Sequence, residues 1–390
     1  MVQENLFEFP EEIEEINNDD VKRENKVNKK YSNPLFPTSQ FVMCGNCFRM
    51  DSYKGCWFGC EYCFANARAG GGSKNNFNRD FAITDPELVR KWFYEALELG
   101  ETNNIKKEML NHRVPIHLGG MSDPFQELEK RYRATYRLLE ISKKYKYPIN
   151  ISTKTASLEE MYFEMLDPKI HTFSISLIGM SDEYIRTWES RTPLAWERIN
   201  FIKELKKRGF WVSIRIQPII DMEEVIELIK ATDDIVDYYT IEHLKIPTDN
   251  KQISIAIIEK LNKMKTSISL VPKGREWEFE GKIKRANIEK IQEIAKTPVG
   301  CGDNDFHILY ESLNCCGIDL MPKSFSNWMK YNSMYIKMTV DKSQWFPKNN
   351  CNGCFVSHCV KKGFTTIKQY TDMAYIEQYG NPNQLSLDFG

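Results

Sequence analysis

The sequence has no uninterrupted apolar run long enough to cross a bilayer, which argues against a transmembrane helix. Its first residues lack a basic flank followed by an apolar stretch, so a secretory signal is not expected and a cytoplasmic location is. No internal repeat is visible, which argues against a solenoid. Residues 1–20 contain eight acids and no Lys or Arg. There is no cysteine between Cys63 and Cys301, although the chain has 11. A reducing compartment disfavours a disulfide framework, so these thiols are expected to be metal ligands, catalytic groups or small buried apolar side chains.

What is present is ordinary for a water-soluble globular chain. Of 390 residues, 42% are hydrophobic and 27% charged, enough for one large domain with additions or for two domains. The net charge is −1, but without the first 20 residues the body holds 53 basic against 46 acidic side chains. That balance is compatible with nucleic acid and equally with a solvated surface of mixed sign. Residues 10–31 are charged and Asn-rich and cannot bury enough surface to offset their ordering entropy. Residues 1–45 are therefore read as a disordered extension, with an ordered lead-in at 33–42.

From residue 50 the pattern alternates. Strands are expected at 114–118, 148–152, 171–177, 210–220 and 237–243, and helices at 85–100, 127–145, 193–208 and 222–230. Alternating strands and helices predict parallel βαβ units and an α/β fold, a partial or complete barrel over 46–275. The rhythm fades beyond about residue 275. A cysteine-rich C-terminal domain is expected at 276–375 and a flexible polar tail at 376–390.

The strongest local signal is GCWFGCEYCFAN at 55–66, which spaces Cys56, Cys60 and Cys63 by three and then two residues. Three thiolates on one loop can hold three irons of a cubane [4Fe–4S] cluster and leave the fourth iron without a protein ligand. Zinc with a distant fourth ligand is the alternative. The spacing, Tyr62 just before the last Cys and the α/β pattern that follows resemble the radical S-adenosylmethionine (SAM) superfamily. The resemblance covers about residues 50–245. It implies a partial (β/α)6 TIM-like barrel, with the cluster loop after the first strand, and reductive SAM cleavage to a 5′-deoxyadenosyl radical. Electrons would come from a reductase such as flavodoxin or ferredoxin. The resemblance further implies SAM contacts from Tyr62 beside the adenine and from Gly119, Gly120 and Met121 in the Gly-rich turn, whose usual acid is missing. Ser152 and Lys154, Glu189 and Arg191, and Gln217 and Ile219, at the ends of the following strands, complete the set. For Glu189 and Arg191 the alternative is a surface ion pair.

GGMSDPFQELEKRYRATYRLLE (119–140), ISTKT (151–155), ESRTP (189–193) and IRIQPII (214–220) resemble the spore photoproduct lyase-like group. That resemblance implies a DNA-directed reaction, with Asp123, Gln126 and Glu129 facing the substrate end. Asp123-Pro124 also reads as a turn signal and Glu129 as a helix-surface acid. The group's cysteine hydrogen donor has no counterpart from 64 to 300. A donor would come from Cys301, Cys315, Cys316 or a tyrosine, and a different radical reaction on a base or nucleotide is expected.

Cys301, Cys315, Cys316, Cys351, Cys354 and Cys359 form a second group. Its run C-x2-C-x4-C, with a fourth ligand from Cys301, Cys315 or Cys316, broadly resembles the auxiliary-cluster domains of radical SAM peptide-modifying enzymes, though the spacing departs from theirs. An auxiliary [4Fe–4S] cluster, zinc (with His358 as a substitute ligand) or unliganded thiols are the readings. Cys44 and Cys47 add one more C-x2-C, either part of a second metal site or structural. The tail NQLSLDF resembles the peptide by which bacterial DNA enzymes dock on the sliding clamp, with Gln384, Leu385, Leu387 and Phe389 as contacts. Three functions follow: a nucleobase- or nucleotide-directed radical SAM enzyme for DNA modification or repair, a peptide- or protein-modifying one, or a non-enzymatic iron–sulfur or zinc sensor.

Overall fold

A computed structural model describes residues 30–38, 44–65, 81–248, 251–264, 269–274, 276–303 and 315–330. Its centre is an eight-stranded sheet whose spatial order follows the chain. The strands are β1 (Leu35–Pro37), β2 (Phe48–Met50), β3 (Ile116–Leu118), β4 (Ile149–Thr153), β5 (His171–Ser176), β6 (Trp211–Ile219), β7 (Tyr238–His243) and β8 (Val299–Cys301). β1 is antiparallel to β2, and β2 through β8 are parallel. β8 and β1 are the two edges, so the sheet is a partial barrel with a seam. The expected strands are present. The barrel runs past the boundary expected at 275, because β8 pairs with β7 in the same sheet.

The crossovers carry the helices that parallel strands require. They are α1 (Pro86–Leu97) and α2 (Ile105–Asn111) after β2, α3 (Glu127–Tyr132) and α4 (Ala134–Tyr145) after β3, and α5 (Glu160–Met165) after β4. α6 (Asp182–Trp188) and α7 (Ala195–Lys207) follow β5, α8 (Met222–Thr232) follows β6, and α9 (Lys251–Lys263) and α10 (Gly281–Ile294) follow β7. α1 starts where its sequence says it should: the Asp85 carboxylate accepts the Glu87 N–H at 3.1 Å, and Pro86 occupies the first turn. The single helix expected over 127–145 is instead two. Arg133 adopts a left-handed backbone (φ 50°) between α3 and α4. The break lets the Glu129 carboxylate accept the N–H groups of Thr135 (2.8 Å) and Tyr136 (2.9 Å), which open α4.

The pairing register separates two faces of the sheet. Ile116, Ile149, Ile151, Phe173, Ile175, Val212, Ile214, Ile216 and Ile241 share the face packed on the helices. The inner face is polar and cross-linked. Asn150 donates to Thr172 (2.9 Å) and Ser174 (3.1 Å), Ser174 and Ser213 share a hydrogen bond of 2.9 Å, and His117 and Ser152 share one of 2.7 Å. Buried polar groups persist only when partnered, so this ladder both fills the lumen and fixes its shape.

The segment 315–330 closes the amino end of this lumen. Ile318, Met321, Phe325 and Trp328 form a small core of their own with Trp211, the first residue of β6. The Ser324 hydroxyl donates to the Lys169 carbonyl just ahead of β5 (2.6 Å). Among the described residues no helix is long and apolar enough to cross a membrane.

Candidate active site at the carboxyl end of the barrel

Cys56, Cys60 and Cys63 occupy the loop that leaves the carboxyl end of β2. Gly59, at φ 62°, gives the turn between the first two a backbone that side chains resist. The loop is held from outside. The buried Gln126 amide spans Cys56, accepting the Trp57 N–H (2.8 Å) and donating to the Gly55 carbonyl (2.9 Å). The Glu61 N–H reaches the Trp188 carbonyl at the end of α6 (3.0 Å).

The three thiols are close enough that charge on one is felt at the others. Burial, then the Asp123 carboxylate, pushes Cys56 up to about 12, against N–H bonds to its sulfur from Asp123 and Phe58. Burial likewise raises Cys60, opposed chiefly by the Lys154 ammonium. Among the described residues no three Cys, His, Asp or Glu side chains stand at bonding distance of one ion. The donor set nevertheless fits an iron–sulfur cluster: three soft ligands on one loop, N–H groups aimed at sulfur and a cation facing Cys60 offset the charge of metal-bound thiolates.

Beside the loop lies a buried ionic group. The Tyr62 hydroxyl donates to Glu189, whose other oxygen takes Arg198 at 2.5 Å and Thr192 at 3.2 Å. Lys154 stands 3.7 Å from Glu189 and 5.8 Å from the Tyr62 ring centre. Burial works to raise Glu189, but Arg198 and then Lys154 hold it below the usual carboxylate range. Its partner is thus Arg198 on α7, not Arg191. The Glu189–Arg191 surface pair does not form. Arg191 is exposed, lies 5.3 Å over the Trp57 ring and donates to the Trp57 carbonyl at 3.3 Å.

Gly119 and Gly120 do form a tight turn after β3. Gly119 has φ 90°, and a Cβ there would sit 2.4 Å from the Ser152 carbonyl oxygen. The acid missing from the turn's own sequence comes from elsewhere: buried Asp51, just past β2, accepts the Met121 N–H at 2.7 Å and the Ser122 N–H at 3.3 Å. The Met121 amide is thereby committed to protein. Ser152 lies in the lumen with His117, Gln217 accepts from Arg215, and Ile219 is buried with its carbonyl taken by Leu244.

The acids expected to face substrate are clamps. Asp123 accepts from Phe125 N–H (2.9 Å), the Thr153 hydroxyl (2.8 Å) and Lys154 N–H (2.6 Å), pinning the β3 turn to the end of β4. Glu129 is neither a substrate-facing acid nor a surface one. It is buried and accepts from Tyr53, Tyr162, Thr135 and Tyr136. Gln126 braces the cluster loop instead of facing substrate. Sequence reading missed Asp51, Tyr53 and Arg198. Their only signal is a polar type inside an apolar run or a helix's buried stripe.

Cys301 shares the helix-packed face with its pairing partner Ile241, and its neighbour is the Asp303 carboxylate (3.5 Å) rather than another thiol. It is therefore turned away from Cys315, whose carbonyl lies on the other side of β8 at Gly300. It also faces away from the lumen, where a hydrogen donor would have to be. Cys351, Cys354, Cys359 and the tail residues Gln384 to Phe389 lie outside the described residues.

The Radical SAM superfamily model matches residues 50–232. No curated protein sequence matches the chain. Among solved structures, spore photoproduct lyase complexed with dinucleoside spore photoproduct superposes with a TM-score of 0.50 at 12% identity, over 74% of this chain and 85% of that one. A tyrosine-to-phenylalanine mutant of spore photoproduct lyase gives 0.51 at 12% identity, over 73% and 84%. At such identity the likeness concerns the fold. Residues 50–232 are thus a radical SAM domain, and the chain is an enzyme with a spore photoproduct lyase-like fold.

Proposed function

We propose that this enzyme cleaves SAM reductively at a [4Fe–4S] cluster bound by Cys56, Cys60 and Cys63 and directs the 5′-deoxyadenosyl radical to a nucleobase or nucleotide. The cluster supplies the electron. The chain's own residues supply position and charge. Gln126 and Glu61 hold the loop, Lys154 presents a cation beside Cys60, and the Tyr62–Glu189–Arg198 group fixes the Tyr62 ring. The Asp123 and Asp51 clamps keep the turn after β3 in register with the loop.

The observation that favours a nucleobase is the rim. Trp57 lies on the cluster loop with Arg191 stacked over it, and Phe64 on the same loop is 56% exposed. An aromatic platform with an adjoining guanidinium is how single-stranded bases and their phosphates are held. The superposition on a lyase complexed with a dinucleoside supports the same direction. The test is anaerobic reconstitution, reduction and assay of 5′-deoxyadenosine with SAM alone, with single- and double-stranded DNA, and with peptide. Stimulation by nucleic acid supports the reading. Stimulation by peptide alone replaces it with a peptide-modifying enzyme, and a filled, reducible cluster without SAM cleavage would leave a redox sensor. A flavodoxin or ferredoxin as reductase and a sliding clamp bound by Gln384–Phe389 are part of the same proposal. Loss of clamp co-elution on Phe389→Ala would support the second.

A further inference from the structure

The lumen changes character just below the cluster loop. Deep in the barrel, Tyr238 is fully buried and Trp211 stacks on it, with ring centres 6.3 Å apart. The ladder of Asn150, Thr172, Ser174 and Ser213 fills the next level. One step nearer the carboxyl end the filling stops. On β6, Ile214, Ile216 and Pro218 are buried, whereas the alternate, inward positions Arg215 and Gln217 are partly exposed. Solvent therefore reaches the inner wall here, from the mouth that carries the cluster loop.

Arg215 is the charge at this level. Its pairing partners on the neighbouring strands are Ser176 of β5 and Thr240 of β7. Its guanidinium reaches Ser152 Oγ at 3.5 Å and donates to the Gln217 side-chain carbonyl. All four are neutral, and among the described residues Arg215 has no carboxylate within ion-pair distance. The other charges of this mouth are matched: Arg49 by Asp51 (3.0 Å), Lys245 by Glu242, and Lys154 by Glu189 (3.7 Å). The positive field is felt at His117, 2.7 Å from Ser152, which burial, and then Arg215 and Arg49, push down to about 3.

A guanidinium held inside a barrel without an acid carries a desolvation cost that nothing in the wall offsets. Its donors are also largely open, since it makes two hydrogen bonds of the five its N–H groups allow. The Gln217 amide nitrogen lies 3.1 Å from where a Cβ on Gly302 would be, so the glycine leaves the space beside it empty.

We propose that Arg215 and Gln217 bind a phosphate group of the nucleotide substrate inside the barrel mouth. The assignment deepens the nucleotide reading and rests on it. A planar guanidinium presents paired N–H groups to two phosphate oxygens, and the amide adds a third donor. Ser152 stands two residues before Lys154, roughly 6.5 Å along the strand. A phosphate at Arg215 would therefore anchor the nucleotide one level below the Tyr62–Glu189–Lys154 group, with its base towards the cluster loop.

The test measures equilibrium binding of mixed-sequence deoxydinucleotides to the reconstituted, SAM-loaded enzyme, with either a native phosphodiester or an uncharged methylphosphonate linkage. Wild type should prefer the phosphodiester by about tenfold. Arg215→Gln should abolish the preference, and Arg215→Lys should keep part of it. A urea titration separates binding from a structural role: removal of an unmatched charge should leave the midpoint of Arg215→Gln at or above wild type, and a large drop would make the residue structural instead. A second measurement avoids variants. Phenylglyoxal labelling of Arg215 in the wild-type chain should be slowed by the phosphodiester dinucleotide and not by the methylphosphonate. A preference that survives Arg215→Gln, or that vanishes instead with Arg191→Ala, would overturn the assignment with the nucleotide reading intact. Weaker SAM binding by Arg215→Gln without nucleotide would give the guanidinium to the SAM carboxylate and overturn it too. Failure of wild type to bind either dinucleotide would remove the nucleotide reading itself, and this site with it.

Discussion

The two ends of the barrel are assembled in opposite ways. At the carboxyl end, Cys56, Cys60 and Cys63 fall within one stretch of eight residues, and a single loop presents them. At the amino end, Trp211 of β6 packs with Ile318, Met321, Phe325 and Trp328 from far along the chain, and only the finished sheet brings them together. A local set costs little loop entropy to assemble and can exist on a partly formed fold. A distant set must offset a long loop closure, and its packing then reports on folding itself. The carboxyl end should therefore be sensitive in activity and the amino end in stability.

The largest effect should come from the loop. Cys60→Ala should lower 5′-deoxyadenosine formation by at least about a thousandfold, equivalent to roughly 4 kcal/mol on the barrier. Its urea midpoint should stay close to wild type, because Cys60 is partly exposed and packs in no apolar core. A Cys60→Ala chain that unfolds at much lower urea would break the proposed division between the two ends. Next is Gln126→Leu, which leaves the Trp57 N–H and Gly55 carbonyl without their side-chain partner. Each orphaned group costs about 1–3 kcal/mol. The loop should loosen, and iron occupancy after dilution should fall several-fold, with Gln126→Glu restoring only the acceptor half.

At the amino end the comparison can be sharpened with pH. His171, the first residue of β5, is buried and pushed down to about 4 by that burial, with Asp167 opposing. Its Nδ1 accepts the Asp167 N–H (2.8 Å), so Nε2 carries the proton towards Ser142 (2.9 Å), whose hydroxyl donates to the Tyr147 carbonyl (2.8 Å). A second ring proton would face an N–H. The folded value lies below the unfolded value near 6.5, so the unfolded chain takes up the proton first. Stability is full above about pH 6.5 and is lost as pH falls towards 4, by about 1.4 kcal/mol per pH unit for this group. In urea titrations between pH 6.5 and 4.5, His171→Gln should flatten the slope by that amount. An unchanged slope would mean that His171 does not titrate between the two states.

Legibility differed between the ends for the same reason. The cluster loop could be read because its chemistry is contained in a spacing, and the strands because their inner polar row alternates with isoleucine and valine. Side chains that reach backbone far along the chain could not be read. Gln126 to Gly55 and Asp51 to Met121 are contacts across about 70 residues that leave no periodic trace. Asp123, Gln126 and Glu129 therefore looked free to face a substrate, when their oxygens are spent on turns and helix starts. The pairing of Glu189 with Arg198 rather than Arg191 joins the residue that ends α6 to the first turn of α7.

The smallest predicted effect separates cofactor binding from substrate binding at the carboxyl end. Arg191 was expected at SAM, but it sits exposed on Trp57 with its charge directed to the rim. An exposed cation–π pair is worth about 0.5–1 kcal/mol. Arg191→Ala should therefore leave the SAM-only rate of 5′-deoxyadenosine formation nearly unchanged, within about twofold. Its affinity for single-stranded DNA should weaken by roughly two- to fivefold, and the salt dependence of that binding should become shallower, since one phosphate-facing charge is gone. Arg191→Lys should recover the salt slope but not the full affinity, because an ammonium stacks less well than a planar guanidinium. If Arg191→Ala instead raises the KM for SAM with DNA binding intact, the rim belongs to the cofactor. The aromatic platform would then no longer support a nucleobase substrate.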